Sequence, residues 1–379
     1  MNMKKLTKIP ETLTYNGSEF EAHVTKTIGD KELINHLRKK ADEFLTKKSP
    51  AVTDRRIKAE SGDAHDYSSL GPYWWPNPDT ENGLPYIRRD GEVNPDTKDN
   101  ITFASLFSSV ETLTLAAYCF DDDRYAEKAV KNISVWYLDR ETKMNPHLKY
   151  GQAIPGICSG RGIGLIDCSH SYKLFDSVAL LDAMGAIPAD ILSGLREWYG
   201  SFLDWMLTSE TGVDEDRQHN NHGSWYDVQV ASTALFLGRK ILAERQLSLA
   251  YERRLLKHIA PDGKQPHELA RTNALGYSIM NLNALMLIAD LAEKAGCKID
   301  MWTERRADGS IALRAALDYL TRFTKSLDGF GYSQLNGKPN PDATALLITM
   351  AARHYPEADY QKKAEELYKP DMLWRLLPL

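Results

Sequence analysis

An all-α fold of stacked helical hairpins is what this sequence predicts, and three observations carry it. Apolar residues recur at alternating steps of four and three through most of the chain after Lys31; strand-like alternation is scarce; and short turn-forming links such as Asp121-Asp122-Asp123, Pro188 and Pro261-Asp262-Gly263 separate the periodic stretches. Helices are predicted over residues 31–47, 102–120, 124–138, 171–184, 191–207, 225–243, 273–294, 311–324 and 342–354. The stretch 273–294 is the clearest. Leu275, Ile279, Leu282, Met286 and Ala289 fall on one stripe about 100° wide, the width of a core-facing helix surface. The links are too short for βαβ crossovers and suit αα-hairpins. No Gly/Ser-rich or Pro-rich linker divides the chain. One helical domain over residues 26–379 is expected, behind an N-terminal extension of residues 1–25.

The 379 residues, 42% hydrophobic and 26% charged, describe a globular protein with a sizeable core. No apolar run approaches the roughly 20 residues of a membrane-spanning helix, so no membrane span is expected. The N-terminus, MNMKKLTKIPETLTYNG, is basic but lacks the apolar stretch of a signal peptide, so either the protein stays inside or a leader has been removed. A formal charge of −5 argues against a nucleic-acid partner, and it requires that any anionic ligand be drawn by a local basic cleft. Cys119, Cys158, Cys168 and Cys297 form no CxxC pair. Free, half-buried thiols are the plainer expectation, although Cys158 and Cys168 flank one loop and could pair.

Residues 60–99 break the helical pattern. They hold four glycines and five prolines together with Tyr73, Trp74, Trp75, Tyr86, Arg88 and Arg89. A loop this long is functional or disordered, and disordered segments are poor in aromatics. Aromatic faces stack on sugar rings and arginines pair with carboxylates; a structural flap covering an apolar patch is the alternative. A second Gly-rich loop, 150–164, contains Gln152 and Arg161 but follows no strand, so a phosphate-binding reading is weak.

Two clusters can carry chemistry. In Gln218-His219-Asn220-Asn221-His222-Gly223-Ser224-Trp225-Tyr226-Asp227-Val228-Gln229, apolar residues are missing where a helix begins. His222, Tyr226 and Gln229 then share one face and need partners or a wet cleft, because unpaired buried polar groups each cost about 1–3 kcal/mol. His219 and His222 could bind a metal, but no third ligand accompanies them, so none is expected. In the second cluster, Gln265 to Tyr277, Arg271 precedes a helix and Tyr277 lies within its second turn. Taken singly, Arg271 would pair with Glu268 and Tyr277 would anchor the core. A glycoside hydrolase would need two carboxylates; Asp167, Asp176 and Asp227 are present without a matching motif. A non-catalytic glycan-binding protein would need the aromatic loop but not these clusters.

Together the segments resemble the alginate lyase superfamily of helical polysaccharide lyases. Asn220-Asn221-His222-Gly223-Ser224-Trp225 is similar to its signature, and Glu268-Leu269-Ala270-Arg271 with Gly276-Tyr277-Ser278 to its second motif. Gly71-Pro72-Tyr73-Trp74-Trp75-Pro76 with residues 83–91 resembles its lid loop, and Gln152-Ala153-Ile154-Pro155-Gly156 with Gly160-Arg161-Gly162 a further block. The four blocks stand in family order across residues 60–300. The six-residue step from Arg271 to Tyr277 fits a sister family of the mannuronate-specific lyases, acting on alginate and related polyuronates, glucuronan included. The resemblance implies an incomplete (α/α) toroid of about six to seven helical hairpins with a long lid loop. It also implies a deep cleft, a periplasmic or secreted monomer, an anionic polysaccharide substrate and no cofactor. The substrate-binding set it suggests is Tyr73, Trp74, Trp75, Arg88, Arg89, Gln152, Arg161, Trp225 and Gln229.

Such a lyase removes the C5 proton of a uronate and expels the 4-O-glycosidic oxygen. The proton is barely acidic beside an ionised carboxylate, so that charge must be neutralised, and Asn221, His222 and Arg271 supply the donors. Tyr277 is then the acid/base. Its ordinary pKa near 10 is high for a base at neutral pH, which calls for a cationic neighbour, and Arg271 is the candidate.

Overall fold

Helix starts and stops follow the local chemistry of the chain, which the computed structural model describes over residues 3–379. Asp30 caps Lys31–Thr46 by accepting from the Leu33 N–H, and Asp122 caps Asp123–Tyr137 in the same way. Thr102 and Ser105 form a reciprocal capping box at Phe103–Phe120. Gly296, in the left-handed region at φ 75°, ends Ala274–Ala295. Ser171–Ala183, Ala189–Thr208, Ala312–Thr321 and Pro341–Ala352 complete the helices whose periodicity is plain in the sequence. Strands are two to four residues long, and the class is all-α.

One expected helix is two. Residues 225–243 divide at Gly238, whose φ of 71° turns the chain between Asn221–Phe236 and Lys240–Ala250. Lys240–Ala250 then runs into a π-helical turn, Tyr251–Leu255, that the 3.6-residue pattern does not foresee. The short helices Phe20–Thr27, Glu210–Asp216 and Tyr360–Glu365 carry too few turns for a periodic signal.

Contacts group the chain into two units: one through Thr12 and again over Gly17–Asp216, the other Leu13–Asn16 with Arg217–Leu379. In the first unit, Phe103–Phe120 packs against Lys31–Thr46, Asp123–Tyr137 and Ser171–Ala183. Phe103 and Trp136 meet at 5.2 Å, and the buried Tyr137 and Tyr199 hydroxyls share a 2.8 Å hydrogen bond. The residues before Phe20 are pinned: the Lys4 and Thr7 backbone N–H groups donate to the Tyr118 and Ala183 carbonyls at 2.8 and 2.7 Å. Both Gly-rich loops belong here. Ser68–Leu70 pairs in parallel with Tyr150–Ala153, and Trp74–Trp75 pairs antiparallel with Ile87–Arg88.

In the second unit, Asn221–Phe236 packs against Lys240–Ala250 and Ala274–Ala295. Every residue from Gly223 to Ala234 is buried, so this helix has no solvent face. Phe103–Phe120 and Ala274–Ala295 are in fact long and apolar enough to cross a membrane by length and composition alone, which corrects the reading from the sequence. Their apolar stretches are 72% and 83% buried, as core helices require. None of the four cysteines is in a disulfide, Cys158 and Cys168 included.

Candidate active site

Both chemical clusters lie in the second unit, and a buried carboxylate joins them. Asn220 caps Asn221–Phe236, its side chain accepting from the His222 N–H at 3.1 Å. Glu268, from the short helix Pro266–Leu269, accepts from the Asn221 backbone N–H at 2.6 Å and from Asn221 Nδ2 at 2.8 Å. Glu268 and Asn221 are each 1% exposed. Burial raises the Glu268 pKa above the ordinary carboxylate value, against the pull of the Asn221 bonds and the charges of Arg271 and His222.

Arg271 and Tyr277 form the second pair. The guanidinium lies over the phenol ring, 3.9 Å from its centroid, and donates through Nη2 to the Tyr277 hydroxyl at 2.9 Å. Tyr277 sits in the first turn of Ala274–Ala295. That turn is held from outside by a segment the sequence did not flag: Ser333 O and Gln334 Oε1 accept from the Ala274 and Leu275 N–H groups, each at 3.0 Å. Leu335 N–H in turn donates to Thr272 O at 2.9 Å. His222, Arg271 and Tyr277 are half-buried, and Asn221 is enclosed.

Beneath the site runs a chain of buried polar side chains. Ser224 Oγ donates to Asn281 Oδ1 at 2.8 Å, Asn281 Nδ2 to Gln265 Oε1 at 2.7 Å, and Gln265 Nε2 to Ser278 O at 2.9 Å. Since the Ser224 hydroxyl is already donating, His258 Nδ1 carries the proton of its 3.1 Å contact with Ser224. A second network grips the loop before Asn221. The fully buried Asp227 accepts from Arg254 Nε at 2.8 Å, Gln246 Nε2 at 2.6 Å and Arg253, while Arg254 also donates to Gln218 O. The π-helical turn contributes both of these consecutive arginines. A Cβ on Gly223 would collide with Gln218 O and the Arg254 guanidinium, which explains the glycine after His222. Asp227 is thus a structural ion-pair partner, unavailable to a hydrolase.

The other expected residues fall in two places. Trp225 and Gln229 are each 1% exposed, inside the packed helix, as enclosed as Asn221. The remaining seven lie in the first unit. Tyr73, Trp74 and Trp75 are half-buried, with Arg88 and Arg89 exposed. Arg89 lies over the Trp75 ring at 5.1 Å, and Arg88 pairs with Asp90 at 2.7 Å. Arg161 holds Gln152, donating to its carbonyl at 3.0 Å and to Oε1 at 3.1 Å, and reaches over Trp74 at 5.9 Å. His219 packs its ring against His267 at 4.8 Å. Among the described residues, no group of three or more His, Cys, Asp and Glu side chains could hold a metal.

The sequence model described as alginate lyase matches residues 51–330. Among solved structures, the chain is similar to an alginate lyase from Bacteroides ovatus, with 35% identity, 98% of this chain and 100% of that chain covered, and a TM-score of 0.90. It shares its fold with a variant of alginate lyase A1-III complexed with a tetrasaccharide, at 15% identity, coverage of 98% and 97%, and a TM-score of 0.62. It also shares it with alginate lyase A1-III from Sphingomonas species A1, at 16% identity, coverage of 90% and 94%, and a TM-score of 0.52. A search of curated protein sequences gives no match.

The polar chain beneath the site has a measurable pH signature. Burial lowers the His258 pKa to about 3, while the unfolded chain returns it to about 6.5. Below pH 6.5 the unfolded state therefore binds a proton that the folded state refuses, and stability falls with pH until about 3. This histidine is expected to contribute up to about 1.4 kcal/mol per pH unit to that fall. Unfolding free energies measured from pH 7 to pH 5 should drop less steeply in His258→Gln than in wild type; equal slopes would contradict a buried neutral imidazole.

Proposed function

The chain belongs to the alginate lyase family and is a polysaccharide lyase, and from that premise we propose that it cleaves 1,4-linked alginate by β-elimination, with Asn221, His222 and Arg271 neutralising the uronate carboxylate and Tyr277 moving the proton. The observation that carries the reading is the 2.9 Å contact between Arg271 Nη2 and the Tyr277 hydroxyl. A guanidinium at that distance favours the tyrosinate, the form that can accept a proton from carbon. The Bacteroides ovatus relative, an alginate lyase at 35% identity over nearly its whole length, supports alginate as the polymer.

The step balances within the substrate. The C5–H bond breaks and its electron pair forms the C4=C5 double bond; the C4–O bond breaks, and the departing oxygen takes a proton. Charge that would build on the carboxylate as C5 loses its proton meets the Asn221 amide, the His222 imidazole and the Arg271 fork. Preorganised donors of this kind usually make the largest catalytic contribution. In mannuronate and glucuronate the C5 hydrogen and the leaving oxygen share a face, so Tyr277 takes the proton and returns it. In guluronate they lie on opposite faces; His222 then serves as base and Tyr277 as acid. No step calls on a cofactor, and one chain supplies all four residues.

The exposed Arg88 and Arg89, with the Tyr73-Trp74-Trp75 run, are assigned to sugar binding in the first unit. Arg161 and Gln152 set the Trp74 side of that surface. A polyanionic substrate does not cross membranes unaided, so the reading places the enzyme in the periplasm or outside the cell.

Digestion of mannuronate-rich alginate, guluronate-rich alginate and glucuronan, followed by ultraviolet absorbance of the unsaturated ends, tests the reaction and its polymer directly. Absorbance is expected to rise on alginate. In Tyr277→Phe, which keeps the ring and loses the hydroxyl, turnover should fall by about 10²–10⁴ with the melting temperature little changed. Retention of a tenth of wild-type kcat would remove Tyr277 from the acid/base role.

His222→Ala separates the two faces. If His222 is base for guluronate as well as carboxylate neutraliser, kcat/KM on guluronate blocks should drop at least about tenfold further than on mannuronate blocks, roughly 1.4 kcal/mol of transition-state energy. Equal losses would reduce it to a neutraliser, and a larger loss on mannuronate would overturn the facial assignment.

A further inference from the structure

A negative charge stands where a lyase for polyanions should least want one. Glu268 is 1% exposed and lies close enough to Arg271 and His222 to feel their charges. Both carboxylate oxygens are instead given to one residue: Oε1 to the Asn221 backbone N–H at 2.6 Å and Oε2 to Asn221 Nδ2 at 2.8 Å.

We infer that Glu268 is a positioning residue that sets the orientation of the Asn221 amide, and through it the neutralisation of the uronate carboxylate. The inference rests on the reading of Asn221 as a neutraliser. A primary amide has two ends of similar shape and opposite polarity, and it can turn over about its terminal torsion. An Asn221 flipped end for end would aim its carbonyl dipole where its N–H is required, and an arriving uronate would meet repulsion. A carboxylate can only accept. Placed against Nδ2, it admits the nitrogen and rejects the oxygen, and the second N–H on that nitrogen remains for substrate. The accompanying backbone bond fixes Glu268 against the helix start, so the clamp spans the 47 residues between the two motifs. Glutamine cannot replace it, because its NH2 group would face one of the two donors.

The charge itself gives the clamp a kinetic signature. A residue that binds the anionic sugar directly raises KM when it is lost. Removing Glu268 removes repulsion toward the polymer while loosening the group that acts in the transition state, so kcat falls and KM stays or drops. A proton on the carboxyl also costs it one acceptor. Burial holds this carboxyl above its ordinary range, so wild-type kcat should decline as pH falls toward that range, and a glutamine variant should lack this limb.

The test is a double-mutant cycle on alginate with Asn221→Ala and Glu268→Gln, alone and together. Glu268→Gln is expected to lower kcat at least about tenfold with KM unchanged or lower. In the Asn221→Ala background it should cost less than about twofold more, since the clamp acts only through Asn221. Additive losses, or a raised KM with kcat kept, would overturn the inference. Should Glu268→Gln fail to fold, Glu268→Asp keeps the charge and shortens the reach by one methylene; it is expected to lose at least about threefold in kcat, and wild-type kcat there overturns the clamp equally. A wild-type protein that cleaves no uronate polymer would count against the functional reading, whereas additive losses in an active enzyme count against the clamp alone.

Discussion

The buried pair of hydrogen bonds from Asn221 to the Glu268 carboxylate is the interaction on which the site depends. It joins the start of one core helix to the short helix that leads into another, and it brings four motif residues together. Leaving a buried carboxylate without those donors would cost several kcal/mol, so the pairing is an obligation of the fold before it is a feature of catalysis. The chain meets that obligation by placing the donors in the first turn of a helix that Asn220 caps and the acceptor on the short helix that follows Gln265.

Buried polar groups add to apolar packing in holding the surroundings of this pair. The Ser224–Asn281–Gln265 chain ties the two core helices to each other side chain by side chain. Asp227 with Arg253 and Arg254 holds the loop that delivers Asn221. Such networks are expensive if any member is unsatisfied and specify one arrangement when all are met. For the proposed elimination this matters, because donors aimed in advance at developing charge need no reorganisation as the C5 proton leaves.

Much of this was legible in the sequence and some was not. Helix positions followed from apolar periodicity and caps such as Asp30, Thr102 and Asp122, since both are local. The clusters at 218–229 and 265–277 stood out because polar residues interrupt apolar helices there. The break at Gly238 was missed because a glycine inside an apolar pattern can be tolerated or can turn the chain, and only its φ of 71° decides which. Glu268 was read as a partner of Arg271 because the two are close in sequence; its partner is Asn221, 47 residues away, and nothing local announces that. Trp225 and Gln229 lie inside the helix packing, and so does Asn221, since a conspicuous sequence run does not say how deeply its members are enclosed. The Ser333–Gln334 support of the Tyr277 helix came from a polar loop with no pattern of its own.

What remains is whether the proton at C5 leaves in the way the Arg271–Tyr277 pair implies. Oligouronates deuterated at C5 answer this in a single turnover series, by mass spectrometry of the newly formed ends. The account predicts that every new unsaturated end has lost its deuterium to solvent and that cleavage is slower than with the protiated substrate. New ends that are saturated and retain deuterium at C5 would contradict it.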